Sequence, residues 1–382
     1  AAETALAVIL LVGAGLFLRS LGRLQQVTPG FDPRGVMTAT TVLPEAAYAD
    51  PARRADFFTQ VVETLSTTPG VTAAGVGFPI PFSGGNSSGS FSIEGRTAQP
   101  GDPGPHGDVR AVTPGYFRAM GISLVAGRMF GDQDRSTGVV VIDENLARQY
   151  WPGENPIGQR VRGGGPNAAW ATIVGIVRHV KHSSLSDDGN KGVAYFPFWQ
   201  RPVPFGTIVA RTTGDPALLV GPIRDAVRRV DPAQPVGRLR SLETLVASSL
   251  APSRFLTRIV SFFAAVALGL AALGLFGVIS YTTVRRTQEI GLRMALGAQL
   301  GTVRGMVVAQ GLRLASFGVA VGLVAAVVLG RLLASELYEA PAVDVPTLAV
   351  TVGILIAVAL AASYLPARRA SRIDPLVALR EE

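Results

Sequence analysis

Apolar residues are massed near the two ends of this chain, while the long middle alternates short apolar runs with polar ones. The first apolar run, Leu6 to Leu18, lies within AAETALAVILLVGAGLFL. A second, Ile259 to about Tyr281, reads IVSFFAAVALGLAALGLFGVISY and holds no charge. A third runs from about Leu314 to Leu333, with Arg313 and Arg331 near its ends, and a fourth spans Thr347 to Tyr364. A bilayer core needs about twenty apolar residues in a helix, and the last three runs supply them. The first begins at Ala1 with no Met, no basic n-region and no cleavage site, so it reads as a membrane helix cut short rather than a signal peptide. That start predicts a piece of a longer chain.

Between the first two spans the periodicity changes. Gly35 to Leu43 predicts a strand, and Pro51 to Ser66 a helix with Phe57, Phe58, Val61, Val62 and Leu65 at helical spacing. Pro69-Gly70-Val71 turns the chain into a strand ending near Phe78. Further on, Gly206 to Arg211 is strand-like, and Asp215-Pro216 opens a helix carrying Leu218, Leu219, Ile223 and Val227. Asp231-Pro232 ends it before a strand around Val236 to Leu239. Two βαβ-like units thus bracket a β-rich, Gly/Pro-rich stretch containing Ala171 to Val177 and Gly192 to Phe196.

The expected fold class is membrane α-helical plus α+β. Four transmembrane helices carry a large extracytoplasmic α/β domain, a split βαβ lobe with an inserted β-rich lobe, between helices 1 and 2. The expected divisions are a first transmembrane helix at 1–19, the extracytoplasmic domain at 20–253 and a permease domain at 254–382. Within the last, spans are expected at about 259–283, 312–333 and 346–365, with a loop at about 285–303 and a tail at 366–382.

Charge orients the spans. The loop after the second holds Arg285, Arg286, Arg293 and Arg304, and the tail after the fourth holds Arg368, Arg369, Arg372 and Arg380. The loop between the third and fourth carries Glu336, Glu339 and Asp344 instead. The positive-inside rule puts the arginine-rich segments and the C-terminus in the cytoplasm and the large domain outside. Arg19, Arg23, Arg254 and Arg258 run against the rule, but they flank a long translocated domain, where charge bias is weak. Gly269, Gly274 and Gly277 line the second span, and the Gly318/Gly322 pair in the third is a GxxxG, a spacing that lets helices approach closely. Carboxylates and lysines are missing from the spans, which speaks against an ion relay.

Composition agrees. Hydrophobic residues make up 48% and charged residues only 16%, against about 25% in a globular domain; mean hydropathy is +0.35. A net charge of +8 is scattered rather than clustered with aromatics, so nucleic acid is not an expected partner. With no cysteine, disulfides, zinc ribbons and thiol catalysis are excluded.

Four segments invite a chemical reading. Gly85-Asn86-Ser87-Ser88-Gly89 matches the nucleophile elbow G-x-S-x-G, but its surroundings predict a flexible loop rather than strand, turn and helix. His179 and His182 form H-x-x-H without a third ligand and are expected on a surface turn. Gly163-Gly164-Gly165 lacks the Lys-Ser/Thr of a phosphate loop and reads as a hairpin tip. No catalytic residue, cofactor or metal is expected, and no ATP site is recognisable. The fourth segment, RRTQEIGLRMALGA from Arg285 to Ala298, is different. Glu289 and Arg293 stand four apart, Ile290 and Met294 likewise, Leu292 and Leu296 likewise, and Ala295, Gly297 and Ala298 leave room for a close neighbour. Apolar residues on more than one side favour a helix covered by another protein over one lying on lipid headgroups.

At this segment the chain resembles the MacB/FtsX-like permease family of ABC transporters. LPARRASRIDPLVALREE at Leu365 to Glu382, LLVGAGLFLRSLGRLQQVTPGFDP near the start and WPGENPIGQRV extend the resemblance over nearly the whole chain, closest to duplicated permeases of acidobacterial type. The resemblance implies an inner-membrane permease subunit paired with a second permease half or a homodimer partner. A separate cytoplasmic ABC ATPase would drive it, and a periplasmic membrane-fusion protein would be a further partner. Glu289, Ile290, Gly291, Leu292, Arg293, Met294, Ala295, Leu296, Gly297 and Ala298 would form the coupling helix seated on that ATPase. The ATPase would drive efflux or extraction of a hydrophobic or peptidic substrate. Two alternatives stay open: an ABC-type signalling subunit that activates an extracytoplasmic enzyme without transport, and a membrane-anchored hydrolase using Ser87.

Overall fold

The computed structural model describes residues 2–96, 104–163, 165, 167–187, 191–296, 298–332 and 344–371. They form two compact units, one of residues 27–250 and one combining 1–26 with 251–382. The chain begins in the second of these, with helix α1 (Ala2–Gln26).

The first unit opens with β1 (Val36–Val42), α2 (Pro51–Ser66) and β2 (Ala73–Phe78). Asp50 starts α2 by accepting from the Ala52 amide at 2.9 Å, with Pro51 in the first turn, where its missing N–H costs nothing. An insertion follows: β3 (Ser88–Ile93), β4 (His106–Val112), α3 (Gly115–Met120), β5 (Leu124–Gly127), β6 (Val139–Asp143), α4 (Glu144–Tyr150), β7 (Arg160–Gly163), β8 (Ala171–Val177) and β9 (Val193–Pro197). The unit closes with β10 (Phe205–Arg211), α5 (Val220–Val230), β11 (Leu239–Ser241) and α6 (Leu242–Ser249).

β1 and β2 both run antiparallel to β10 between them, and β10 and β11 both run antiparallel to β1. The two βαβ units are therefore split and interleaved, in the order β11-β1-β10-β2. Phe57, Phe58, Val61 and Leu65 of α2 and Ile223, Ala226 and Val227 of α5 bury against Ala39, Val76, Ile208 and Ala210 of these strands. Two details differ from expectation. Asp215-Pro216 opens a 3₁₀ turn, Pro216–Leu219, and the α-helix begins only at Val220, with Pro222, which has no N–H, in its first turn. β11 starts at Leu239; ahead of it the chain is already held to β1 by Gln234 Nε2 on the Val42 carbonyl (2.8 Å) and the Gly237 amide on the Thr40 carbonyl (2.8 Å).

The insertion curls into a ring. β4 pairs β3, β3 pairs β7, β7 pairs β8, β8 pairs β6, β6 pairs β9, and β9 returns to β4. The result is a closed barrel of six strands, filled by Ile93, Val140, Ile142, Val161, Ile173 and Phe196. β4 also pairs β2 through Gly77↔Val112 and Phe78↔Ala111, which joins the two lobes.

The second unit continues from α1 with α7 (Ala251–Arg285), α8 (Thr287–Ala295), α9 (Leu300–Leu332) and α10 (Val345–Ala370). All but α8 are long and apolar enough to cross a membrane. At 1.5 Å per residue the 35 residues of α7 span about 52 Å, well beyond a bilayer core of about 30 Å. Small residues hold the helices together: Ala7 and Val8 of α1 meet Ala267 and Ala271 of α7 and Val319 and Ala326 of α9. Gly318 and Gly322 are both buried. A Cβ on Gly322 would lie 2.6 Å from Val8 Cβ, whereas one on Gly269 would meet nothing within 4 Å. Gly322→Ile is therefore expected to destabilise the unit by about 1–3 kcal/mol through overpacking, and Gly269→Ile to leave it unchanged. Heating each purified variant and measuring the monodisperse fraction by size exclusion checks the pair.

Candidate functional site

Helix α8 follows α7 after one non-helical residue, Arg286, whose φ of −103° breaks the first helix and redirects the chain. Thr287, Ile290, Gly291 and Met294 form an i, i+3, i+4, i+7 stripe that turns inward. Ile290 is 1% exposed, and with Met294 it joins the buried apolar cluster that also holds Leu275 and Ile279 of α7, Val303 and Val307 of α9, and Ala359 and Ala367 of α10. The opposite face is open. Leu292 is 52% and Leu296 81% exposed, with Gln288, Glu289, Arg293 and Ala295 beside them. Glu289 pairs with Arg293 at 2.7 Å and with Arg286 at 4.0 Å, so the charges rimming that face are largely compensated. Arg304 at the start of α9 donates to Ser371 beyond the end of α10 at 2.9 Å, tying the same end of the bundle together. Ala298 adds a hydrogen bond from its amide to the Arg293 carbonyl at 3.0 Å. Gly297, with Arg372 and Arg380 of the tail, Glu336 and Glu339, lies outside the described residues.

The other segments resolve differently. Ser87 lies just before β3 rather than in a strand–turn–helix elbow, and its carbonyl accepts from Arg110 Nη1 and the Val109 amide. Gly163 ends β7, and Gly165 lies in the connection to β8; Gly164 is outside the described residues. The surface turn expected for His179 and His182 is overturned. His182 is 7% exposed, and His179 is pinned through Nδ1 to Asp143 at 2.5 Å. Asp143 caps α4 by accepting from the Leu146 amide (2.8 Å) and also holds the Val193 amide (2.9 Å), so its carboxylate is fully engaged.

What sequence reasoning missed is Arg110, 1% exposed at the centre of a polar network. All five guanidinium donors are used: Nε on His182 Nδ1 (3.3 Å), Nη1 on the Ser87 and Val109 carbonyls (2.9 Å each), Nη2 on Asn86 Oδ1 (3.1 Å) and Asp108 Oδ2 (2.9 Å). Its signal is one arginine inside the strand HGDVRAV. With Nδ1 accepting from Arg110, the neutral His182 ring carries its proton on Nε2 and donates to Tyr195 Oη at 3.3 Å. Burial, then the nearby Arg110 and His179, hold the His182 pKa well below its ordinary 6.5. The unfolded chain protonates this ring below pH 6.5 while the folded one does not, so stability falls as pH drops through and below that value. All three tryptophans, Trp151, Trp170 and Trp199, lie in this unit and report on it alone. Their fluorescence melting is expected to show the acid loss in the wild type and a weaker pH slope in His182→Gln.

The MacB-like periplasmic core domain matches residues 4–225, more than half the chain, and the FtsX-like permease C-terminal domain matches residues 261–375. The chain belongs to the MacB/FtsX-like permease family. Within this family it is similar to the probable syringafactin export ATP-binding/permease protein SyfD of Pseudomonas syringae pv. tomato, at 26% identity over 72% of this chain and 42% of that protein. It is similar also to the macrolide export ATP-binding/permease protein MacB of Acinetobacter baylyi (25% identity, 94% and 54%) and to MacB 1 of Aeromonas hydrophila (27%, 98% and 57%). The chain spans about half the length of the curated relatives it matches. The crystal structure of the periplasmic region of MacB from Actinobacillus actinomycetemcomitans covers 59% of this chain and 97% of its own at 16% identity, with a TM-score of 0.39. α8 falls inside the FtsX-like match, and the interleaved βαβ lobe and the barrel fall largely inside the periplasmic match.

Proposed function

We propose that this chain is the permease subunit of a bacterial ABC transporter of the inner membrane, driven by a cytoplasmic ATPase that binds α8. The ATPase is supplied by another chain or by a segment outside these 382 residues. Nucleotide-driven closure of the ATPase displaces α8, and α7, α9 and α10, which grip Ile290 from behind, take up the shift. α1 and α7 run directly into the ends of the 27–250 domain, which works on a hydrophobic or peptidic substrate outside the membrane. A second permease half or second copy completes the transporter.

The observation that carries this reading is the two-faced character of α8. One face is fixed to three membrane helices, and the other presents two leucines, small residues and a self-compensated charge pair to a partner. The names of the relatives, which join ATP-binding and permease functions, support the same pairing. The test is co-purification of the ATPase with the full chain and measurement of ATP hydrolysis with and without it. Failure to recover a complex, or hydrolysis indifferent to the permease, would overturn the proposal.

A further inference from the structure

The mouth of the six-stranded barrel holds a cavity of about 390 Å³, within the size range of small-molecule sites. Phe91, Leu146, Val161 and Phe196 supply apolar walls. The space exists because β3 carries glycine where its inward-facing side chain would stand. Gly89 shares a face with Phe91 and Ile93, and a Cβ there would meet nothing within 4 Å.

Among the described residues, one cation lines this cavity. The Arg201 guanidinium sits 4.2 Å from the centre of the Phe196 ring, and its Nη2 donates to the Gly163 carbonyl at 2.9 Å. Among the described residues no carboxylate forms an ion pair with it. Asp108 lines the same cavity, but its charge is met by Arg110 at 2.9 Å. The contrast within one lobe is informative: Arg110 has an acceptor for every donor and an acid beside it, while Arg201 is half-buried with no countercharge. Burial pulls the Arg201 pKa below its ordinary value, a sign that its charge is under-solvated where it stands.

We propose that the barrel mouth binds a small amphiphilic anion, its apolar body against Phe91, Leu146, Val161 and Phe196 and its acidic group on Arg201. The anion restores the solvation that the guanidinium has lost, and its apolar part leaves water for a walled space. This site belongs to the inserted lobe and goes beyond the coupling role of α8. It stands or falls independently, because its readout involves no ATPase.

The probe is naphthalene-2-sulfonate, measured by equilibrium dialysis against the full chain in lipid nanodiscs, with empty nanodiscs as the blank. Neutral 2-naphthylmethanol and cationic 2-naphthylmethylammonium serve as analogues. The wild type is expected to bind one equivalent of the sulfonate, and both analogues about ten-fold more weakly or worse. Arg201→Leu removes the charge and is expected to weaken the sulfonate about ten-fold or more, with partial rescue in Arg201→Lys. Gly89→Leu fills the cavity without touching the charge and is expected to abolish binding. If Arg201→Leu fails to fold, Gly89→Leu and the analogue series decide alone. Absence of saturable sulfonate binding to the wild type would overturn the proposal. So would equal binding of the ammonium analogue, or binding unchanged in Gly89→Leu.

Discussion

Leu292→Asp combined with Leu296→Asp is expected to abolish stable association with the ATPase and its stimulation, while the thermal stability of the permease itself stays unchanged. Both side chains are more than half exposed in the free chain, so their replacement removes no core contact. In a complex they would be the apolar centre of the docking face. Central anchors of this kind cost about 2 kcal/mol or more each when removed, roughly 30-fold in affinity, and here a buried carboxylate is added on top. Ile290→Asp is the contrasting variant. It places a charge in the cluster formed by α7, α9 and α10 and is expected to destabilise the membrane unit as well. Reversing Glu289 to Lys gives a milder effect, since it breaks only half-exposed pairs, with Arg293 and Arg286. Pull-down of the ATPase and hydrolysis rates, read beside melting curves, check the set. Retained coupling in the double aspartate variant would remove α8 as the docking surface.

Arg110→Leu is expected to lower the stability of the 27–250 unit by about 3–5 kcal/mol, because it strands a buried charge rather than merely deleting a contact. Asp108 would keep its carboxylate in a nearly sealed environment, and the Ser87 carbonyl and Asn86 side chain would lose their donor together. For a domain of this size that corresponds to roughly 6–20 °C in midpoint, readable in the tryptophan signal. The Arg110→Leu, Asp108→Leu double variant is expected to recover part of the loss, since an apolar pair of similar volume avoids the desolvation cost of both ions. A single variant that melts with the wild type would show that water reaches Asp108 and that the network is not sealed.

These two sites differ in how visible they were along the chain. α8 announced itself through local spacing: Glu289/Arg293, Ile290/Met294 and Leu292/Leu296 each stand one helical step apart, so the helix and its two apolar sides could be read from fourteen residues. Which side faces inward could not, because that depends on Val303, Val307, Ala359 and Ala367 arriving from helices far along the chain. The Arg110 network was invisible. RHVKHSSL is polar at nearly every position and reads as surface, yet His182 is buried by a strand residue 72 positions away. β3 was read as a loop for a related reason. Ser88, Gly89 and Ser90 are poor strand formers, and they extend because β4 offers them backbone partners, while β7 pairs the following Phe91 to Ile93.

The sequence by itself determined the four apolar spans, the α2 helix with its Asp-Pro start, the presence of α5, and the split βαβ lobe with a β-rich insert. Those features rest on periodicity and capping within a few residues, and such signals survive without knowledge of the rest of the chain. Only the tertiary structure decided that the insert closes into a barrel, through parallel pairings of β4 with β9 and β6 with β8, and so encloses a cavity beside Arg201. Pairing between distant strands uses backbone groups that every residue carries. It leaves little trace in side-chain pattern, and the sites that depend on it emerge only once the chain is folded.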